Sequence, residues 1–244
     1  MYELSNYESL SCQAAEMVID SGREALKDHG YFAIVLTGGH TVQGLYHSLA
    51  EISYRSEIKR LWAKTYFFLG DERWVSGEHP DSNGGMVRRL LLEPAKIPDD
   101  RVFMIPTGIE TPDEAATIYE QTIRDFFAKR SHGRGGELPT FDLILLSMGI
   151  DGHVASLFRG TEALAEKERW VTTSSPPRVK PVVERVTITM PVINKANAVM
   201  MLIAGGEKRA IARHIMAEPK ETGKLYPAAQ VRPVGQQIWM VADG

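Results

Sequence analysis

One feature constrains this chain more than any other: a short apolar run that recurs four times and stops each time at or beside glycine. YFAIVLT (Tyr31–Thr37) leads into Gly38 and Gly39, and TYFFLGD (Thr65–Asp71) contains Gly70. FDLILLSMG (Phe141–Gly149) and AVMMLIAGG (Ala198–Gly206) follow the same pattern. A strand with one wet face alternates polar and apolar residues, whereas an unbroken apolar run reads as a strand buried on both faces, the habit of a parallel sheet. Segments of helical period lie between the runs: about Ser11 to Lys27, TVQGLYHSLAEI after the first run, and EKRAIARHIMA after the fourth. Strands alternating with helices imply βαβ units. The expected fold is therefore α/β, a Rossmann-like, open, mostly parallel sheet with helices on both faces. RVTITM (Arg185–Met190) and QIWMVA (Gln237–Ala242) are further strand candidates. SHGRGGELP (Ser131–Pro139) and TTSSPPRVKP (Thr172–Pro181) read as surface loops. At 244 residues the chain is read as one large domain, 1–244.

Composition narrows the function classes. A hydrophobic content of 43% beside 24% charged residues is that of a soluble protein with a sizeable core. A formal net charge of −3 provides no global basic field, so nucleic acid is not an expected partner. The one cysteine, Cys12, cannot form an intramolecular disulfide or a cysteine-based zinc knuckle, and it suits a reducing compartment. The opening MYELSNYESL lacks the basic start and apolar core of a signal peptide, and no apolar run reaches the ~18 residues of a membrane span. The expectation is a cytoplasmic protein with no membrane partner, a monomer or small homo-oligomer.

Open α/β sheets bind ligands beyond the carboxyl ends of their strands, so the four run ends are the places to look. At the first, LTGGHT, Thr37, Gly38, Gly39, His40 and Thr41 could offer backbone amides and two hydroxyls to an anion, or simply form a strand-to-helix turn. At the second, GDERWV, Arg73 has the planar charged fork that grips phosphate. Asp71 could orient a base or bind a sugar hydroxyl there, unless Asp71, Glu72 and Arg73 only form a salt-bridged loop. The downstream HPDSN reads as an Asx-type turn.

At the third run end, Gly149 and Gly152 bracket Asp151, and His153 opens the next expected helix. His153 there is a candidate general base with Asp151 as its orienting carboxylate; the competing readings are a helix cap and a metal ligand. No second histidine at i+4 supports the metal, and Ser156 stands in no G-x-S-x-G context. At the fourth, Lys208 could bring a point charge to an anion from about one turn into its helix. Arg185, which starts a strand instead of ending one, is a further cation. Cations and amides for an anion, one His–Asp pair for proton chemistry and no cofactor fingerprint together suggest a small phosphorylated substrate handled by acid–base catalysis alone.

These blocks resemble, in order, those of the 6-phosphogluconolactonase family, within the superfamily that also holds glucosamine-6-phosphate isomerase/deaminase. LTGGHT is similar to its SGGST-type loop, GDERWV with the later DSN to its GDER…SN block, MGIDGHVASLF to its GMGxDGHxASLFP block, and AGGEKRAI to its G-x-x-K helix start. ERVTITMPVIN and YPAAQVRP resemble weaker later blocks, so the resemblance runs from about residue 10 to the end. After the histidine, deaminases typically continue with an IAFNEP type of sequence that brings in a glutamate; here VASLF follows, as in lactonases.

The resemblance implies a metal-independent and cofactor-independent hydrolase of 6-phospho-D-glucono-1,5-lactone, with a phosphorylated sugar lactone as its small-molecule partner. It implies His153 as general base, and Asp71 or Asp151 orienting that histidine or the sugar hydroxyls. Arg73, Lys208 and Arg185, with the Thr37–Thr41 amides, would hold the phosphate or the developing oxyanion. His40 departs from the family's usual small hydroxyl residue, and Arg159 stands where the family has proline. The alternatives are a glucosamine-6-phosphate deaminase/isomerase and a non-catalytic sugar-phosphate-binding domain.

Overall fold

Side chains on successive strand residues point to opposite faces, so a strand whose every residue is buried has both faces covered. The strand Phe32–Leu36 is buried throughout, and it lies inside a seven-stranded sheet. The computed structural model describes residues 1–130, 138–176 and 180–243. In chain order the strands are β1 (Tyr2–Leu4), β2 (Phe32–Leu36), β3 (Thr65–Leu69), β4 (Asp71–Arg73), β5 (Val102–Phe103), β6 (Leu143–Ser147), β7 (Val171–Ser174), β8 (Arg185–Ile188), β9 (Ala198–Ala204) and β10 (Gln236–Ala242). The large sheet has the order β1-β10-β9-β6-β2-β3-β5, and every pairing in it is parallel. All four apolar runs therefore end along one edge, with β2 between β6 and β3 and β9 beside β6. Helices Tyr7–Asp28, Gln43–Ile52, Ser56–Trp62, Pro112–Ala128 and Gly206–Ala217 surround the sheet. The architecture is the expected α/β one.

A second sheet, β4-β8-β7, is small and antiparallel. Gly70 joins the two: its amide donates to Leu36 O and its carbonyl accepts from Ile188 N, both at 2.8 Å. β4 thus continues directly from β3 beyond the edge of the parallel sheet, a role that a loop-like Asp-Glu-Arg triplet did not suggest. Two expectations need correction. Thr172–Ser174, read as loop, belongs to β7, where its ladder to β8 supplies the pairing; Ser131–Glu137 and Pro177–Arg178–Val179 of the two expected loops lie outside the described residues. His153 does not open a helix: residues 152–158 form turns and isolated bridges, because Gly152 takes φ +77° and Ala155 φ +48°, both in the left-handed region that interrupts a helix. The helix Pro112–Ala128, with its Thr111 cap, is absent from the reading by apolar runs.

Candidate active site

On an antiparallel pair, residues directly opposite one another share a face. Asp71 pairs with Thr187 and Arg73 with Arg185, so these four side chains project from one face of the small sheet. This is why Arg185 reaches the site from the start of a strand: β8 runs against β4 and begins where β4 ends. The segment after His153 covers that face. Ser156 donates from its hydroxyl to Asp71 Oδ2 at 2.7 Å, and its amide donates to Thr187 Oγ1 at 3.2 Å. Ser156 is wholly buried and so serves as a clamp, not a nucleophile.

The bend itself is fixed by glycine. A Cβ on Gly149 would lie 2.2 Å from both Nδ1 and Cε1 of His153, so the imidazole packs flat on a position that only glycine can fill. His153 Nδ1 and Asp151 Oδ1 are 2.5 Å apart, and the His153 amide donates to the same oxygen at 3.2 Å. Burial works to raise the Asp151 pKa, but the hydrogen bonds and charge of His153 outweigh it, holding the carboxyl below its ordinary range. An ionised carboxylate only accepts, so Nδ1 is the donor of this contact, and in the neutral imidazole Nε2 is the unprotonated nitrogen, with no partner among the described residues. Between the two candidate partners of His153 the geometry selects Asp151. Asp71 is committed elsewhere, to Ser156 and to the Asn83 amide at 3.3 Å.

Both arginines are anchored and incompletely paired. Arg73 donates through Nη1 to Asp81 O at 3.1 Å and to the Asn83 side-chain oxygen. Arg185, 2% exposed, donates through Nη2 to Pro181 O at 3.2 Å. Among the described residues, the buried Nε of each has no acceptor. Burial lowers the Arg185 pKa and Arg73 opposite it pushes the same way, against the carboxylates of Asp71, Asp81 and Asp151. The Phe158 ring links His153 to Arg185, with its centroid 4.5 Å from the His153 ring and 5.4 Å from Arg185 Cζ.

Asn83 and Glu72 do organising work that the sequence reading left to a turn and a salt-bridged loop. Glu72 makes no ion pair among the described residues. It accepts from the amides of Arg73, Asn83 and Gly84, each at 2.7 Å, and from Ser82 Oγ at 2.9 Å. Burial nevertheless leaves its pKa raised. Asn83 donates to Asp71 O at 2.8 Å and lies so close to Gly38 that a Cβ there would meet its side-chain oxygen at 1.8 Å. The signal for Asn83 was present in the DSN that follows GDERWV, but nothing local assigned it a role.

The first loop is next to this cluster, since Ser147 Oγ at the end of β6 donates to Gly38 O at 3.0 Å. Its amides are not all free, which corrects the expectation for Thr37. Thr37 N donates to the Tyr46 hydroxyl at 3.0 Å, and that hydroxyl donates back to Thr37 O. Tyr7 pins the far side by donating to His40 O at 3.0 Å while accepting from Gly44 N at 2.7 Å. Thr41 is buried and the His40 side chain exposed. Lys208 is half-buried in the first turn of its helix, its pKa lowered by burial, and it forms no ion pair among the described residues. That helix follows β9, which packs against the His40–Val42 turn. The structure thus brings Asp71, Arg73, Asp151, His153 and Arg185 into one cluster with the loop of Gly38 beside it, while Lys208 makes no hydrogen bond or ion pair to that cluster among the described residues.

Comparison with known proteins gives the family of the chain. The chain is 35% identical over 238 residues to a 6-phosphogluconolactonase of a Nostoc species, covering 98% of this chain and 93% of the relative. To the 6-phosphogluconolactonase of a Synechocystis species it is 38% identical over 218 residues, covering 89% and 85%. The crystal structure of a Thermotoga maritima 6-phosphogluconolactonase matches with a TM-score of 0.81 at 31% identity, over 99% of this chain and 98% of that one. A profile of the glucosamine-6-phosphate isomerases/6-phosphogluconolactonase family matches residues 5–240, and the chain belongs to that family.

Proposed function

We propose that the protein hydrolyses 6-phospho-D-glucono-1,5-lactone to 6-phosphogluconate, the lactone-opening step of the oxidative pentose phosphate pathway. The observation that carries this reading is the Asp151–His153 contact, which leaves Nε2 of a rigidly held imidazole as a base. Nε2 takes a proton from water as the water oxygen attacks the lactone carbonyl carbon. When the tetrahedral intermediate collapses, the bond from that carbon to the ring oxygen breaks. The imidazolium then returns the proton to the departing ring oxygen, leaving a carboxylic acid that ionises in solution.

Arg73 and Arg185 hold the phosphate or the developing oxyanion, and the fixed charge costs no reorganisation during the reaction. The Gly38–Thr41 amides and Lys208 add to the phosphate grip. Asp71 keeps Ser156 and Asn83 in place and offsets the arginine charge. The relatives carry the name 6-phosphogluconolactonase, and the buried segment Val154–Phe158 contains no carboxylate that could serve ring opening and amine loss.

The test is a coupled assay on freshly generated lactone, following 6-phosphogluconate with a dehydrogenase. The wild type should exceed spontaneous hydrolysis by orders of magnitude, and His153→Ala should lose roughly 10²–10⁴-fold in kcat. A wild-type rate equal to the spontaneous one refutes the function; an unimpaired His153→Ala refutes only the base.

A further inference from the structure

The His153 bend has a support outside the blocks that carry the chemistry. Gly152, at φ +77°, presents its α-carbon to the ring of Tyr226. A Cβ built on Gly152 would lie 2.6 Å from Cδ1, 2.7 Å from Cβ and 2.9 Å from Cγ of that tyrosine. On the other side of the same peptide, the Gly152 carbonyl accepts from Ala228 N at 2.9 Å. The residue between Asp151 and His153 is therefore gripped twice by one segment, once by an aromatic ring and once by an amide.

The gripping segment is itself braced. Tyr226 N donates to Thr222 O at 2.8 Å and Ala229 N to Tyr226 O at 3.0 Å. The Tyr226 ring meets His214 edge-on at 5.9 Å between centroids, and His214 belongs to the helix Gly206–Ala217, which carries Lys208 in its first turn. The Tyr226 hydroxyl donates to no protein group among the described residues, so its ring is what the contact uses.

We infer that Tyr226 is a positioning residue: its ring holds Gly152 so that the Asp151–His153 pair keeps its geometry, acting through the bend without touching substrate. The inference rests on the proposed lactonase reading for its kinetic consequence, though not for its structural one. Misplacing a catalytic base by about 1 Å costs on the order of 10²-fold in rate, whereas substrate binding depends on the arginines and the Gly38 loop. Tyr226→Ala should therefore lower kcat by about 10–100-fold with KM within about twofold of wild type, and Tyr226→Phe should restore kcat.

Two further measurements separate positioning from general loosening. The hydrogen-bonded Nδ1 proton of His153 should give a downfield NMR resonance in wild type and Tyr226→Phe that is lost or shifted upfield in Tyr226→Ala, whatever the substrate. Gly152→Ala and Tyr226→Gly together should cost less than the sum of the two alone, because only glycine at 226 removes both the ring and the Cβ that the new methyl would meet, while the strain of φ +77° at residue 152 remains in either background. A folded Tyr226→Ala with unchanged kcat and an unchanged Nδ1 resonance overturns the inference. So does a loss of kcat that Tyr226→Phe fails to restore, or additive effects of the two substitutions. If the wild type has no lactonase activity, the reaction is wrong, and the Nδ1 resonance with its response to Tyr226→Ala still decides the role of Tyr226.

Discussion

Arg73 and Arg185 face each other across two antiparallel strands, an arrangement of like charges that works against the fold by itself. Two nearby buried polar atoms, the Nε of each, have no acceptor among the described residues. A buried charge is expensive, and replacing one by an apolar residue of similar length is often neutral or stabilising when no partner charge is left stranded. Arg185 has carboxylates near it as well as Arg73, so its loss both removes a repulsion and gives up some attraction. On the proposed reading, a bound dianion is what satisfies both forks. Arg185→Met should accordingly keep or gain thermal stability in phosphate-free buffer while raising KM at least tenfold. Inorganic phosphate should raise the melting temperature of the wild type and do so much less for the variant, as linkage requires when the ligand binds only the folded state. Differential scanning fluorimetry across a phosphate titration checks this. A variant that melts lower and still responds fully to phosphate would remove Arg185 from the anion site.

At the scale of elements, the two ends of the parallel strands do separate jobs. At the amino end, Asp142 precedes β6 and ties three strands together: it accepts from Ala33 N in β2 at 2.8 Å, from His29 Nε2 at 2.9 Å and from Asn197 Nδ2, ahead of β9, at 3.2 Å. Burial raises its pKa even so. Asp142→Ala leaves these donors unsatisfied and should cost about 1–3 kcal/mol. The strand sets it about 16 Å from the catalytic edge, so kcat of the folded variant should stay at the wild-type value. Urea denaturation beside the coupled assay measures both, and a parallel fall in kcat would deny the separation.

The same division explains what could be read from the chain. β2, β3, β6 and β9 are legible because burial on both faces requires continuous apolar runs. β4 and β7 are not, since strands of three or four mixed residues show no apolar run and both are held by pairing to β8, which for β4 lies about a hundred residues on and for β7 is the next strand. The turn at 152–158 does not follow from local sequence, since VASLF is buried by packing over Asp71 and Thr187 instead of by a helical stripe. The helix Pro112–Ala128 did announce itself, in the Thr111-Pro112-Asp113-Glu114 cap. Among the candidate site residues, His153, Asp151 and Arg73 stand out in the sequence as types placed just after strand ends, whereas Arg185 starts a strand and joins them only through the pairing of β8 with β4. The commitment of Thr37 N to Tyr46, and of Asp71 to Ser156, required the tertiary contacts.

At the scale of the whole molecule, the fold does not choose the reaction: one family profile spans isomerases of glucosamine 6-phosphate and hydrolases of the lactone. Both substrates are phosphorylated six-carbon sugars, so the anion grip does not choose either. What differs is the proton work. Opening an amino-sugar ring, moving a proton between carbons and expelling ammonia need acid–base groups at several positions, whereas hydrolysing a lactone needs one base that later returns its proton. The cluster here supplies one imidazole, with Asp151 spent on orienting it and Asp71 held by Ser156 and Asn83. The protein should therefore release no ammonia from glucosamine 6-phosphate above the no-enzyme control, under conditions where it turns over the lactone rapidly. It should still bind the amino sugar weakly, as a competitive inhibitor held by its phosphate. Glutamate-dehydrogenase-coupled detection of ammonia, run on the same preparation as the lactone assay, tests both statements. Sustained ammonia release at a rate comparable to lactone opening would show that the cluster performs proton transfers beyond those that one imidazole base supplies.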